Sequence, residues 1–242
     1  MSTTTLNTMS RLKLHGMLSS YRTLMETRQY QELSAEESID MLIQSEWEYR
    51  ESRKINRHIN QAKFRYGACI EEIDFTASRG LDRGRILRFA DGDFIRKHEN
   101  LLIVGPTGVG KSYIASAIGH QACQRGYKTL YFNAQKLFSK LKMLKADGSI
   151  AKEIARIERA DLFILDDFGM QTLDATSRMN LMEIIEDRHG RKSTIIASQL
   201  PVAKWYDVIG ESTVADAILD RMIHAAHRIE LKGESMRKKE KK

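Results

Sequence analysis

Gly105-Pro-Thr-Gly-Val-Gly-Lys111-Ser112 places its glycines, its lysine and its hydroxyl at the G-x-x-x-x-G-K-[ST] spacing of a phosphate-cradling loop. Gly105, Gly108 and Gly110 can take positive φ, so that the backbone N–H groups of the loop turn inward and form an anion nest at a helix N-terminus. Pro106, Thr107 and Val109 complete that loop, and Tyr113 follows it into the helix. Lys111 can reach the β- and γ-phosphates of a nucleotide as a mobile point charge, and the Ser112 hydroxyl can ligate Mg²⁺. The competing reading is a glycine-rich turn that binds nothing. An apolar strand before the loop and a helical pattern after it favour the phosphate site.

Such a loop needs carboxylates, and Leu162-Phe-Ile-Leu-Asp-Asp167 supplies two at the end of a four-residue apolar run, about fifty residues downstream. Asp166 is assigned to the Mg²⁺ shell and Asp167 to orienting and deprotonating a water. A third apolar run, Thr194-Ile-Ile-Ala-Ser-Gln199, ends in polar residues where open α/β sheets put their ligands. Either Ser198 or Gln199 could face the γ-phosphate or its attacking water.

These groups need a sheet to bring them together. Short apolar strands at 101–104, 129–132, 162–165, 194–197 and 228–231 alternate with helical patterns at 111–125, 135–145, 150–159, 175–190 and 214–226. That alternation marks an α/β parallel sheet. The first hundred residues read as helical instead, with Leu6, Met9, Leu14, Met17, Leu18, Tyr21, Leu24 and Met25 near a 3.6 period. Ser34-Ala-Glu-Glu37 is a capping box that opens a further helix through Ile39, Leu42, Ile43 and Trp47. Along it Arg50, Arg53, Lys54 and Arg57 form a basic stripe, with Glu46, Glu48 and Glu51 nearby. The expected organisation is a helical N-terminal domain over 1–76 that binds DNA or a partner, a connector over 77–98, the nucleotide domain over 99–235, and a basic tail over 236–242.

The 242 residues carry 39 Lys and Arg against 32 Asp and Glu, a formal net charge of +7, which points to an acidic partner, most commonly nucleic acid. Cys69 and Cys123 sit in no metal or redox spacing, and two cysteines make no disulfide framework. The opening Met1-Ser-Thr-Thr-Thr-Leu-Asn7 has no signal-peptide pattern, and the apolar runs are far shorter than the roughly 18 residues of a membrane span. The expectation is a cytoplasmic protein without a membrane partner. His224 and His227, three apart, lack a third ligand in sequence and read as polar helix residues. Trp47 and Trp205 read as packing anchors.

With these residues assembled, the chain resembles the IstB/DnaC-like branch of the AAA+ ATPases, in particular the IstB-like ATP-binding transposition helpers. The resemblance rests on Gly105 to Ser112, Asp166-Asp-Phe-Gly169, Ala197-Ser-Gln-Leu-Pro201 with Trp205 after it, Ile218-Leu-Asp-Arg221 and Gly233-Glu-Ser-Met-Arg237. It implies a P-loop AAA+ (ASCE) fold whose five-stranded parallel sheet is flanked by helices, with a small all-helical N-terminal domain. It implies ATP and Mg²⁺ as cofactors. Arg221 resembles the finger that reaches a neighbouring subunit's nucleotide, and Arg237 the sensor arginine of its own subunit. A finger in trans would join ATP binding to homo-oligomerisation. The helices after the second strand resemble the insertion that the initiator and loader clade uses against DNA. Two departures stand out: the acidic pair is Asp-Asp where AAA+ proteins usually carry Asp-Glu, and little sequence follows Arg237 from which to build a C-terminal lid.

The function implied is a DNA-dependent assembly ATPase that oligomerises on double-stranded target DNA, largely without sequence preference, and serves the transposase of the same element. A replicative helicase loader is the alternative within the same fold. A small-molecule P-loop kinase would need a basic lid and an acceptor pocket, and a passive DNA scaffold would need no hydrolysis. Without the family, Arg221 would read as a surface ion pair with Asp220 or Asp216. The basic stripe at 50–57 has its own bland reading as a solvated helix face, in which case the DNA surface would fall on Lys136, Lys140, Lys142 and Lys145.

Overall fold

The structure, a computed structural model, describes residues 3–76, 79–224 and 226–236. By its contacts the chain divides into two units, 1–57 and 58–242.

In the first unit, α1 (Thr3–Arg11) and α2 (His15–Thr27) precede the long α3 (Ala35–Ala62), which begins in this unit and ends in the second. The capping box forms as its sequence requires: the Ser34 N–H donates to Glu37 Oε2 at 2.8 Å, and the Glu37 N–H donates to Ser34 Oγ at 3.2 Å. Gly16 lets α2 start directly against α3, since a Cβ there would overlap the Ser45 carbonyl. The Glu46 carboxylate, nearly buried, takes the N–H groups of Gly16 at 2.8 Å and Met17 at 3.2 Å, two of the donors left open at the start of α2. Trp47 departs from expectation: it is 59% exposed and anchors no core. It continues an exposed run with Ile39 and Ile43 along one side of α3.

The second unit is built on five strands, β1 (Asn100–Val104), β2 (Thr129–Asn133), β3 (Leu162–Phe168), β4 (Ser193–Ser198) and β5 (Ala226–Glu230). They lie in the order β2-β3-β4-β1-β5, and every pairing is parallel. Alternation of apolar residues covers both faces, as a parallel sheet demands. Leu101, Ile103, Ile164, Ile195 and Ile229 face one layer, against α6 (Lys111–Gln124) and the short helices α4 (Arg83–Ala90) and α5 (Asp93–Arg96). Leu102, Phe163, Leu165 and Ile196 face the other, against α7 (Ala134–Ala146), α8 (Ile150–Glu158), α9 (Ala175–Arg188), α10 (Trp205–Ile209) and α11 (Ser212–Ile223). Trp205 is the anchor expected, fully buried, its indole N–H donating to the Leu200 carbonyl and its ring edge-on to Phe168 at 5.1 Å.

Three expectations need correcting. Much of the stretch expected as a connector belongs to the core, because Ile86, Phe89, Phe94 and Ile95 of α4 and α5 are buried in the first layer. Residues 58–76, expected with the N-terminal domain, fall in the second unit, where Ala68, Ile70 and Ile73 join the same layer. The last helix stops at Ile223, so His224 and His227 share no helix face. His227 sits on β5 with its Nε2 2.7 Å from Glu99 Oε2 and its ring against Phe89. Among the described residues no group of His, Cys, Asp and Glu could hold a metal by itself, and no helix is long and apolar enough to cross a membrane.

Candidate functional site

The strand order sets the site. β4 lies between β1 and β3, so the loop after β1, the acidic pair at the end of β3 and the polar end of β4 converge at one sheet edge. There a cavity of about 450 Å³ is lined by Thr107, Gly108, Gly110, Lys111, Ser112 and Tyr113 of the loop, with Asp167 and Gln199 opposite. That volume lies in the range of small-molecule sites.

The loop needs its glycines. Gly108 and Gly110 have φ of +85° and +98°, a region that disfavours any side chain. A Cβ on Gly105 would overlap the Leu231 carbonyl, and one on Gly108 would overlap the Ser235 hydroxyl. Residues 233–236 thus close over the loop, and the Met236 N–H donates to the Gly108 carbonyl at 2.9 Å. Arg237, the expected sensor, lies one residue past the described residues. Lys111 Nζ donates to the Pro106 carbonyl at 2.7 Å, so the ammonium lies curled against its own loop. Val109 is buried beneath the loop, and its carbonyl accepts from Arg79 Nη1 at 2.9 Å. Burial lowers the pKa of the Arg79 guanidinium, and Asp74 opposes that shift.

Strict strand alternation would send Asp166 and Asp167 to opposite faces of β3. The structure breaks the alternation there. The β3–β4 register shifts between Leu165 and Phe168, and Asp167 takes a left-handed φ of +56°. Both carboxylates consequently face one point: Arg65 Nη1 lies 2.9 Å from Asp167 Oδ2 and 3.6 Å from Asp166 Oδ2. Tyr131 donates its hydroxyl to Asp166 Oδ2, and Asn133 Nδ2 donates to Asp167 Oδ2 at 2.9 Å. Burial, then the Asp166 charge, drives the Tyr131 phenol pKa far up and keeps it a donor.

Asp166 is fully buried, and its Oδ1 has no hydrogen-bond partner among the described residues. A carboxylate oxygen withheld from water calls for a cation. Asp166 and the pocket-lining Ser112 hydroxyl are therefore the oxygen donors that would suit Mg²⁺ at this site, with water and phosphate completing its shell.

Of the two polar candidates on β4, geometry separates the roles. Ser198 is buried and donates its hydroxyl to the Phe168 carbonyl at 2.7 Å, tying the ends of β3 and β4 together. Gln199 lines the cavity, with its amide against Thr107 of the loop and the Met170 sulfur. Arg221 is elsewhere. Asn100 Nδ2 at the start of β1 donates to the Arg221 carbonyl at 3.4 Å, which puts Arg221 at the strand's amino end, about 16 Å along it from the loop. Its Nε pairs with Glu186 Oε2 at 2.6 Å, a partner on α9 and neither Asp220 nor Asp216.

The sequence profile of the IstB-like ATP binding protein family matches residues 7–242. The chain belongs to the IstB-like ATP-binding proteins. Among relatives, a Sinorhizobium fredii protein named as an insertion sequence ATP-binding protein is 42% identical over 98% of this chain and 97% of its own. A Pseudomonas aeruginosa protein named as the ATP-binding protein of insertion sequence IS21 is 30% identical over 97% of this chain and 88% of its own. Among solved structures, the DnaC helicase loader superposes with a TM-score of 0.59 at 23% identity, covering 70% of this chain and all of that one. DnaI gives 0.60 at 23% identity, covering 68% of this chain and 91% of that one. These structures share the AAA+ fold.

Sequence reasoning missed Arg65, Arg79, Tyr131 and Asn133, which the fold brings to or beside this cavity. Asn133 carried a readable sign, since its Oδ1 caps α7 at Lys136 and so places its amide at the end of β2. The others are joined to the site only by the folded chain.

The basic stripe on α3 is less concentrated than its spacing suggests. Arg50 Nε pairs with Glu46 Oε1 at 2.7 Å, Lys54 lies 3.6 Å from Glu51, and Arg53 stands over the Tyr49 ring. On α7, Lys140 pairs with Glu153 and Lys142 with Asp174.

Proposed function

We propose that this chain hydrolyses ATP with Mg²⁺, assembles on double-stranded DNA when ATP is bound, and serves the transposase of an insertion sequence. The observation that carries the reading is the convergence of the Lys111 loop, Asp167 and Gln199 on one cavity, with the buried Asp166 carboxylate 3.6 Å from the guanidinium of Arg65, which also lines it. The loop would hold the phosphates, Asp166 and Ser112 the Mg²⁺, and Asp167 the attacking water, with Gln199 positioned between loop and acidic pair. Mg²⁺, once bound, would neutralise charge on the transferring phosphoryl group.

Arg221 lies at the far end of β1 from its own loop, which supports a role toward a neighbouring subunit's nucleotide. The insertion sequence association is supported by relatives up to 42% identical over nearly the whole chain. The likeness to helicase loaders lies at the level of the fold, so transposition is the favoured setting. Net charge of +7 supports a nucleic-acid partner bound mainly through phosphates.

Steady-state ATPase assays with and without duplex DNA, paired with nucleotide titration of Lys111→Ala, test this reading. Turnover raised by DNA, and nucleotide binding abolished in the variant, are expected. Unchanged nucleotide affinity in Lys111→Ala would remove the site assignment, and DNA-independent turnover would remove the assembly role.

A further inference from the structure

The acidic pair already has a cation, and it comes from an unexpected part of the chain. α3 ends at Ala62, and Lys63 takes a left-handed φ of +56° that turns the backbone out of the helix. Phe64 then packs edge-on to Tyr131 at 6.2 Å and against α6 at Gly119, where a Cβ would come within 2.6 Å of both Phe64 and Ile164. With Phe64 fixed, the next residue, Arg65, enters the cavity. Its guanidinium lies over the Tyr66 ring and reaches both Asp167 and Asp166.

We propose that Arg65 is the resident counter-ion of Asp166 and Asp167, holding the cation position until a divalent cation arrives with a nucleoside triphosphate and displaces it. The inference rests on the reading of this cavity as a metal–nucleotide site. A cation that merely stabilised the fold would be enclosed and would satisfy the buried carboxylate. Arg65 is instead 41% exposed, which screens its pairing, and Asp166 Oδ1 stays without a partner among the described residues. A metal drawn to Asp166 Oδ1 would sit beside the guanidinium at Oδ2 of the same carboxylate, and two cations so close repel each other, so the arginine opposes metal–nucleotide binding. The side chain is long and partly solvated, and it can swing away without disturbing Phe64.

The ratio of ATP affinities measured with Mg²⁺ and in EDTA, using a fluorescent ATP analogue, reads this competition and cancels effects common to both conditions. In Arg65→Gln the Mg²⁺ enhancement should rise about threefold to tenfold over wild type, between the effect of a surface ion pair and that of a charge-assisted hydrogen bond. Arg65→Lys, which keeps a charge but loses the fork that spans two carboxylates, should fall between the two. An enhancement unchanged or reduced in Arg65→Gln overturns the proposal. Should circular dichroism show Arg65→Gln unfolded, Arg65→Lys decides: a ratio above wild type supports displacement, and an equal or lower one overturns it. Lys111→Ala in the same titration tests the underlying reading separately, because nucleotide binding that survives there removes the site itself, whatever Arg65 does.

Discussion

The cavity at the ends of β1, β3 and β4 and the basic face of α3 both concentrate charge, by opposite means. In the cavity, Arg65 meets Asp167 across 102 residues of sequence, and the buried Tyr131 meets the buried Asp166 across 35. On α3, Arg50 pairs with Glu46 and Lys54 with Glu51, three or four residues away on the same helix. Local pairs form wherever a helix carries both signs, and each is worth only a few tenths of a kcal/mol. Charges brought together from distant parts of the chain must overcome desolvation, and here they need a bulge in β3 to face one point, which a stable fold by itself does not require. The cavity is assembled by long-range packing, and the α3 stripe by local helix spacing, with one clamp to α2 at Glu46.

The sharpest way to break that contrast is Arg221→Ala. If the finger acts in trans, the variant should still bind ATP but lose turnover by about 10³ to 10⁵. Mixing it with Lys111→Ala chains should restore part of the hydrolysis, since one chain then donates the finger and the other the loop. Mixtures that stay inactive at every ratio would place Arg221 in a structural role with Glu186. Asp167→Asn comes next. It should keep nucleotide binding and slow hydrolysis by about 10² to 10⁴, the scale of general-base catalysis, measured in single-turnover assays. Failure to bind nucleotide would exchange the roles of Asp167 and Asp166.

The third variant turns to α3. Glu46→Ala leaves the Gly16 N–H buried without its acceptor and should lower stability by about 1–3 kcal/mol in urea denaturation. A neutral result would make the Arg50 pair incidental. Smallest is the effect on DNA binding of replacing Arg50, Arg53, Lys54 and Arg57 together with Ala. The log–log salt slope should fall by about one for each residue that contacts phosphate, with Arg50 contributing least because Glu46 holds it. A slope and affinity left unchanged would move the DNA surface to Lys136, Lys140, Lys142 and Lys145.

Local pattern was enough for the loop, the strands and most helices, because a P-loop spacing, a capping box and β-branched runs act within a few residues. The strand at 162–165 is legible in this way. Its extension through Phe168, the register shift and the left-handed Asp167 are not, since they depend on what β4 offers opposite. α4 and α5 were hidden for a similar reason: three glycines and many charges between 77 and 92 look like a linker, and only the layer they complete shows why Ile86 and Phe89 are apolar. Trp47 shows the reverse error, an aromatic at helical spacing that the fold leaves in water.

A phosphate loop, two carboxylates and a polar strand end could be read from residue order, because each is specified by side-chain type and short-range backbone freedom. Residue order did not show that β4 lies between the strands bearing the other two, that Asp166 and Asp167 face the same point, or that Arg65 reaches both. Those outcomes depend on strand order, register and burial, which are set by long-range packing free energy, and no window of neighbouring residues contains it.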